Sequence, residues 1–281
     1  MTNKNKPLAL LGSLLKYVLL IVLSIWMLLP FYWMISASLM TSTEIIQMPP
    51  PLLPAVPQLQ NYVRVTEVVD LARAYFNSLV VTALTVAGIL FTSSLAGFAF
   101  AKYEFPGRDV LFAMILATMM IPFFVILIPV FWIVKQFGWI GNYGGLVMPG
   151  LVSAYGIFMM RQFILNLPDE LLDAARIDGA SELRIYWQVI IPLSGPALAT
   201  LGVFNMISVW NSFLWPMLIV QTPELYTVPL ALNSLRTYGM EAKVLNLQMA
   251  GTVLSVIPTL GIFAFLQRYF TQGIALTGLK G

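Results

Sequence analysis

Six long apolar runs dominate this sequence, at roughly residues 15–37, 77–101, 109–134, 144–165, 193–220 and 248–268. None holds an Asp, Glu, Lys or Arg in its central part. A helix of about 20 such residues spans the hydrocarbon core of a bilayer. In lipid the backbone must satisfy its own hydrogen bonds, and for apolar runs of this length the solution is an α-helix. Hydrophobic residues make up 59% of the 281, and mean hydropathy is +0.85. A water-soluble chain of this size has too little interior for that much apolar surface. The sequence therefore predicts an all-α integral membrane protein with six transmembrane helices, one transmembrane domain over 1–281 and no large soluble domain. The first run is too long for the apolar core of a signal peptide. It ends in Leu29-Pro30-Phe31-Tyr32-Trp33 instead of a small-residue cleavage site, so it is expected to stay as the first helix.

Basic residues orient the spans. With both termini inside, ten fall on the inner side: Lys4, Lys6, Lys16, Lys102, Arg108, Arg161, Arg176, Arg184, Arg268 and Lys280. Five fall outside: Arg64, Arg73, Lys135, Arg236 and Lys243. Loops richer in Lys and Arg stay in the cytoplasm, so segment 1–14 and tail 269–281 are expected there, in a bacterial or archaeal inner membrane. The stretch after Arg268 is too polar and glycine-rich to be expected to extend the last span. Between the first two spans lies a loop of roughly 40 residues, with prolines at 49–51, 54 and 57. That density forbids regular helix there and favours extended chain, either as a stiff linker or as a docking segment.

The charged residues concentrate in one island. Segment 166–192 holds Asp169, Glu170, Asp173, Arg176, Asp178, Glu182 and Arg184, in a chain that is only 10% charged. It reads as two short helices broken at a turn. Pro168 suits a first helical position, with Asp169 and Glu170 at the positive end of the helix dipole. Asp178-Gly179 marks the turn. Leu183, Tyr186/Trp187 and Ile190 then fall on one helical stripe, and Pro192 is expected to end that helix.

Asp173-Ala174-Ala175, Asp178-Gly179-Ala180 and Ile191-Pro192-Leu193 together resemble the "EAA" signature of ABC-importer permeases, with Asp173 in place of the leading Glu. Phe76-Asn77-Ser78-Leu79, Phe105-Pro106-Gly107-Arg108 and the C-terminal Arg268-Tyr269-Phe270, Gln272-Gly273 and Gly278-Leu279-Lys280-Gly281 are similar to strings in the carbohydrate branch of those permeases, of the maltose-transporter type. The resemblance runs from about residue 15 to the end. It implies a permease subunit that pairs with a second homologous permease, a cytoplasmic ABC ATPase dimer and an extracytoplasmic solute-binding protein. Segment 166–192 would be the cytoplasmic coupling loop between spans four and five. In that family the second short helix sits in a cleft of the ATPase subunit and moves as the ATPase dimer closes. Asp173, Ala174, Ala175, Asp178, Gly179 and Ala180 would shape the loop, with Glu182, Leu183, Tyr186 and Trp187 as the contact. No cofactor is expected in this chain; ATP and Mg would sit on the partner ATPase. An amphipathic loop helix lying on the membrane surface is the plainer alternative.

Absent residue types narrow the chemistry. Cys and His are both 0, which removes thiol nucleophiles, disulfides and imidazole catalysis. No phosphate loop of the form G-x-x-x-x-G-K-[ST] occurs, so ATP hydrolysis is not expected here. No basic patch or nucleic-acid motif is present. A stand-alone carrier or channel would need ionisable residues inside its spans, and an intramembrane enzyme would need catalytic groups there; neither is offered. Span five carries Asn205, Ser208, Trp210, Asn211 and Ser212. Asn205, Ser208 and Ser212 share a helical face, and amides beside an aromatic suit a neutral, hydroxyl-rich solute. The same amides and hydroxyls also join helices in membranes. A polyol or glycerol-phosphate-like solute is the alternative cargo within this class.

Overall fold

The computed structural model describes residues 6–235 and 244–277, and their side chains at 12–235, 244–261 and 264. Lys4, Arg236, Lys243 and Lys280 of the charge distribution, and the last four residues of the expected tail, lie outside the described residues. Among those described, every regular element is helical. Contacts divide the chain into two compact units, one of Met1–Val69 with Leu232–Val256 and one of Asp70–Ala231 with Ile257–Gly281.

In the first unit, α1 (Lys6–Ser38) is exposed at every residue from 12 to 32. A helix apolar on all sides has the composition of a membrane span. Its end is pinned by the following loop. Tyr32 and Ser36 donate hydroxyl hydrogen bonds to the Leu52 carbonyl at 2.9 and 2.6 Å. Glu44 accepts from the Thr41 and Ala55 amides at 2.8 and 3.0 Å, and these bonds hold its carboxyl below its ordinary pKa. The proline-rich stretch is irregular, as its composition dictates, but the loop then forms α2 (Gln60–Val68). The Asn61 amide donates to the Ser38 and Met40 carbonyls at 2.9 and 2.8 Å, joining α2 to the end of α1.

The second unit is built on α3 (Leu71–Lys102), capped by Asp70, whose carboxylate accepts the Arg73 amide. Then come α4 (Arg108–Thr118), α5 (Phe123–Gln136), α6 (Tyr143–Val147) with a 3-10 turn (Met148–Gly150), and α7 (Ala154–Leu165). Next are α8 (Asp169–Ile177), α9 (Glu182–Ile185), a π-helical turn (Tyr186–Ile190), α10 (Ile191–Leu193), α11 (Gly195–Trp210) and α12 (Leu214–Ile219). A 3-10 turn (Pro223–Leu225) leads to α13 (Val228–Ser234), and α14 (Leu245–Thr277) follows. α3 packs along α7 and α11. Small residues allow the closest approach: a Cβ on Gly97 would lie 2.7 Å from the Met160 Cβ, and one on Gly156 would lie 2.2 Å from the Ser93 Oγ. Close backbone contact through Gly and Ser is how helices associate where lipid offers no hydrophobic drive.

Two helices, Gly12–Ser38 and Leu71–Lys102, are individually long and apolar enough to cross a bilayer. Three further apolar runs are broken. α4 and α5 meet at 102°, the α6 segment and α7 at 43°, and the α9–α10 segment and α11 at 77°. The third run is thus not one straight helix: it breaks at Met119–Pro122, where Pro122 is extended at the cap of α5. Proline supplies no amide to continue the ladder, so the chain restarts after it. The last run continues helically to Thr277, beyond Arg268, so the polar stretch extends the helix against expectation. Adding residues to an existing helix needs no new nucleus, which lowers the demand on composition.

Candidate coupling loop and solute cavity

Segment 166–192 forms the two short helices and the turn. Pro168 sits one position earlier than expected, as the extended cap before α8. At the end of α8, the Gly179 amide bonds the Arg176 carbonyl and the Ala180 amide bonds the Ala175 carbonyl, both at 3.0 Å. Gly179 has φ +77°. This pair of bonds around a left-handed residue is a Schellman closure, which glycine adopts without strain. Ser181 then caps α9 by accepting the Arg184 amide.

A chain of polar contacts ties the turn to α3. Arg176 pairs with Asp173 and with Glu182, each at 3.0 Å. Glu182 also accepts the hydroxyl of Tyr103, the residue that follows α3. The Arg176 guanidinium, and then the Tyr103 hydroxyl, hold the Glu182 carboxyl below its ordinary pKa. Burial, followed by Glu182, pushes the Tyr103 hydroxyl up to about 12. Lys102 reaches the Leu167 carbonyl at 2.7 Å and Asp169 at 2.6 Å. Tyr103 and Lys102 had no local signal marking these roles, because their partners lie 79 and 67 residues away.

The second short helix has two opposed faces. Ile185, Tyr186 and Ile190 are buried with Leu172, Phe98 and Met160. Leu183 and Trp187 are exposed at 64% and 52%, and Ile177 at the end of α8 at 86%. The single expected stripe is therefore divided, Leu183/Trp187 outward and Tyr186/Ile190 inward. Tyr186, expected in the contact, is 1% exposed, and its hydroxyl meets that of Ser94 at 2.7 Å. It anchors the helix from inside and leaves the outward surface to its neighbours. Nor does Pro192 end the helix. The Ile191 amide bonds the Tyr186 carbonyl, a π-type step that lets the helix pass proline's missing amide and turn at Ser194.

The residues proposed from span five separate. The Asn205 amide donates to the Leu201 carbonyl and that of Asn211 to the Ile207 carbonyl, both at 2.8 Å on their own helix. Trp210 is buried, 6.2 Å from the Tyr75 ring. Only Ser208 and Ser212 line a cavity of about 340 Å³, and Ser212 does so from beyond the end of α11. The other hydroxyls around it, Ser78, Thr82, Thr85 and Thr227, come from α3 and from the loop before α13. Sequence reasoning missed Thr82 and Thr85 because threonines in an apolar run look like ordinary membrane-helix residues.

Relatives agree with this architecture. The arabinooligosaccharides transport system permease protein AraQ of Halalkalibacterium halodurans is 34% identical over 90% of this chain and 91% of its own length. The sn-glycerol-3-phosphate transport system permease protein UgpE of Rhizobium meliloti is 33% identical over 95% of this chain and 97% of its own. A chain in the crystal structure of a bacterial ABC transporter involved in the import of the acidic polysaccharide alginate superposes with a TM-score of 0.82 at 25% identity, covering 96% of this chain and 99% of that one. Residues 88–276 match the family described as the binding-protein-dependent transport system inner membrane component, and the chain belongs to that family.

Proposed function

We propose that this chain is one of two membrane-spanning permease subunits of an ATP-binding-cassette importer, and that its cargo is a carbohydrate. The reading gives it six spans, with both termini and segment 166–192 in the cytoplasm. A second homologous permease completes the path, and an extracytoplasmic solute-binding protein delivers the solute. A cytoplasmic ATPase dimer, holding ATP and Mg, supplies the energy. One observation carries the coupling role: Ile177, Leu183 and Trp187 are exposed together on a loop anchored to α3 by Tyr186, Tyr103 and Lys102. An apolar surface on a short helix suits docking into a groove of another protein, and the anchors would pass its displacement to the spans. Closing of the ATPases would move the loop and switch the bundle between inward- and outward-facing states.

The test is reconstitution with the ATPase, the second permease and the binding protein. Expected are ATP hydrolysis stimulated by the loaded binding protein and ATP-driven sugar uptake, with no hydrolysis by this chain alone. Topology is checked in the cysteine-free chain with Ser181→Cys. Reaction of that thiol with an impermeant reagent outside intact cells would put the loop on the wrong side.

A further inference from the structure

The proline-rich stretch between α1 and α2 is apolar, exposed and held by its own hydrogen bonds. Met48, Leu52, Leu53, Val56 and Leu59 are each more than half exposed. Glu44 is the only Asp, Glu, Lys or Arg from 39 to 59. Its carboxylate is used within the loop, where it accepts the Thr41 amide, the Thr41 hydroxyl and the Ala55 amide at 2.8, 2.8 and 3.0 Å. The Gln58 backbone amide donates to the Leu39 carbonyl at 2.8 Å, and its side-chain amide to the Val56 carbonyl at 3.0 Å. Prolines 49–51, 54 and 57 have no amide to satisfy. The loop thus turns apolar side chains outward while much of its backbone polarity is bonded inward or absent, which lowers the cost of leaving water.

Its attachment to α1 points to what covers it. In the function proposed above, α1 crosses the bilayer. The apolar part of α1 begins at Gly12, and about 20 residues cross the hydrocarbon core. Counted from Gly12, the core ends near residue 32; counted from Lys16, the last charge before the apolar run, it ends near 36. Tyr32 and Ser36 are the residues whose hydroxyls hold the Leu52 carbonyl, at 2.9 and 2.6 Å. These bonds tie the loop to the outer edge of the core, the depth at which Tyr side chains collect in membrane proteins. A surface for docking a soluble protein carries a polar rim around its apolar centre. From 45 to 59 this loop has no charged residue to supply one.

We propose that the 46–59 loop lies in the outer lipid interface, its exposed apolar side chains, Met48 and Leu53 among them, meeting the phospholipid headgroup and upper acyl region. The loop is then a membrane anchor that sets the depth of α1, and not a landing surface for the solute-binding protein. The inference goes beyond the importer reading, from which it takes only the crossing of α1.

The experiment uses the complete transporter in phosphatidylglycerol nanodiscs, with Leu53→Cys as the sole thiol of the complex, labelled with nitrobenzoxadiazole. Met48→Cys is a second probe site, and Glu67→Cys, exposed on α2, is the aqueous control. Two quenchers are compared, a phosphatidylcholine with a nitroxide high on its acyl chain and iodide in the water. Interfacial segments sit about 5–10 Å into the headgroup and acyl boundary, within reach of that nitroxide, so the labelled lipid should lower emission at 53 and 48 at least about twofold. Iodide should change it little, and the order should reverse at 67. Stronger quenching by iodide than by the lipid at 53 and 48 overturns the proposal. If loaded binding protein blocks that iodide quenching, the loop is its docking surface instead. Quenching by neither at both sites puts the loop against another subunit and also overturns the proposal. ATP hydrolysis stimulated by loaded binding protein is followed on the same discs. Iodide quenching alongside stimulated hydrolysis removes the loop inference alone, whereas nitroxide quenching without stimulated hydrolysis keeps the loop in lipid and removes the importer reading.

Discussion

The Tyr186 hydroxyl, on the helix that follows the Gly179 turn, lies 2.7 Å from the Ser94 hydroxyl of α3. Tyr186 also lies alongside Phe98, with ring centroids 6.1 Å apart. The exposed Leu183 and Trp187 thus lie on the same continuous helical stretch as a fully buried anchor.

Tyr186 variants should separate the hydroxyl from the ring. Ser94 also bonds the Leu90 carbonyl, so Tyr186→Phe leaves it partnered and should cost only about 1 kcal/mol. Tyr186→Ala empties a buried site and should cost about 3–5 kcal/mol. Thermal unfolding of the purified transporter checks the order. Equal loss in both variants would show that the hydroxyl pair, not packing, holds the helix.

At Gly179 the expected order of damage is Val, then Ala, then Asn. A Cβ there meets nothing within 4 Å, so the penalty is backbone strain at φ +77°, about 1–3 kcal/mol for a residue other than glycine. Asn tolerates this region best among the three. Membrane insertion should survive, and ATPase co-purification and sugar-stimulated hydrolysis should fall in the same order. Parental hydrolysis by the Val variant would remove the turn from the coupling role.

Lys102 and Asp169 should not be equivalent. Lys102 is 5% exposed at its side chain and Asp169 is 77% exposed. Asp169→Asn removes a solvent-screened partner and should cost below about 1 kcal/mol. Lys102→Met also strips the Leu167 carbonyl of its donor, for about 1–3 kcal/mol. Limited proteolysis of the 166–192 segment compares them, and greater sensitivity in the Asp169 variant would contradict the asymmetry.

Acid should loosen the Glu182 contacts. The folded-state pKa of this carboxyl is lowered, chiefly by Arg176 and then by Tyr103. Its contribution is therefore fully present above the ordinary value of 4.5 and is lost as pH falls below it through the folded value. The amplitude is small, because Glu182 is about half exposed at its side chain. Thermal midpoints measured from neutral pH to below 4.5 should fall less steeply in Glu182→Gln than in the parent. Identical slopes would mean the carboxylate adds nothing to folding.

Local chemistry alone determined the helical class, the apolar runs and the turn at Gly179. Each depends on a few consecutive residues: uninterrupted apolar side chains, or an Asp-Gly pair after an alanine-rich helix. Tertiary structure decided which face of each helix meets protein. Leu183, Tyr186, Trp187 and Ile190 share one hydrophobic pattern, and only the packing of α3, α7 and α8 turns Tyr186 inward and Trp187 outward. Asn205 and Asn211 look like ligand amides in sequence, yet their own helix supplies their acceptors. The cavity was illegible for the opposite reason. Ser78 and Val228 meet across 150 residues, and Thr82, Thr85 and Thr227 border one cavity only because the chain folds back on α3.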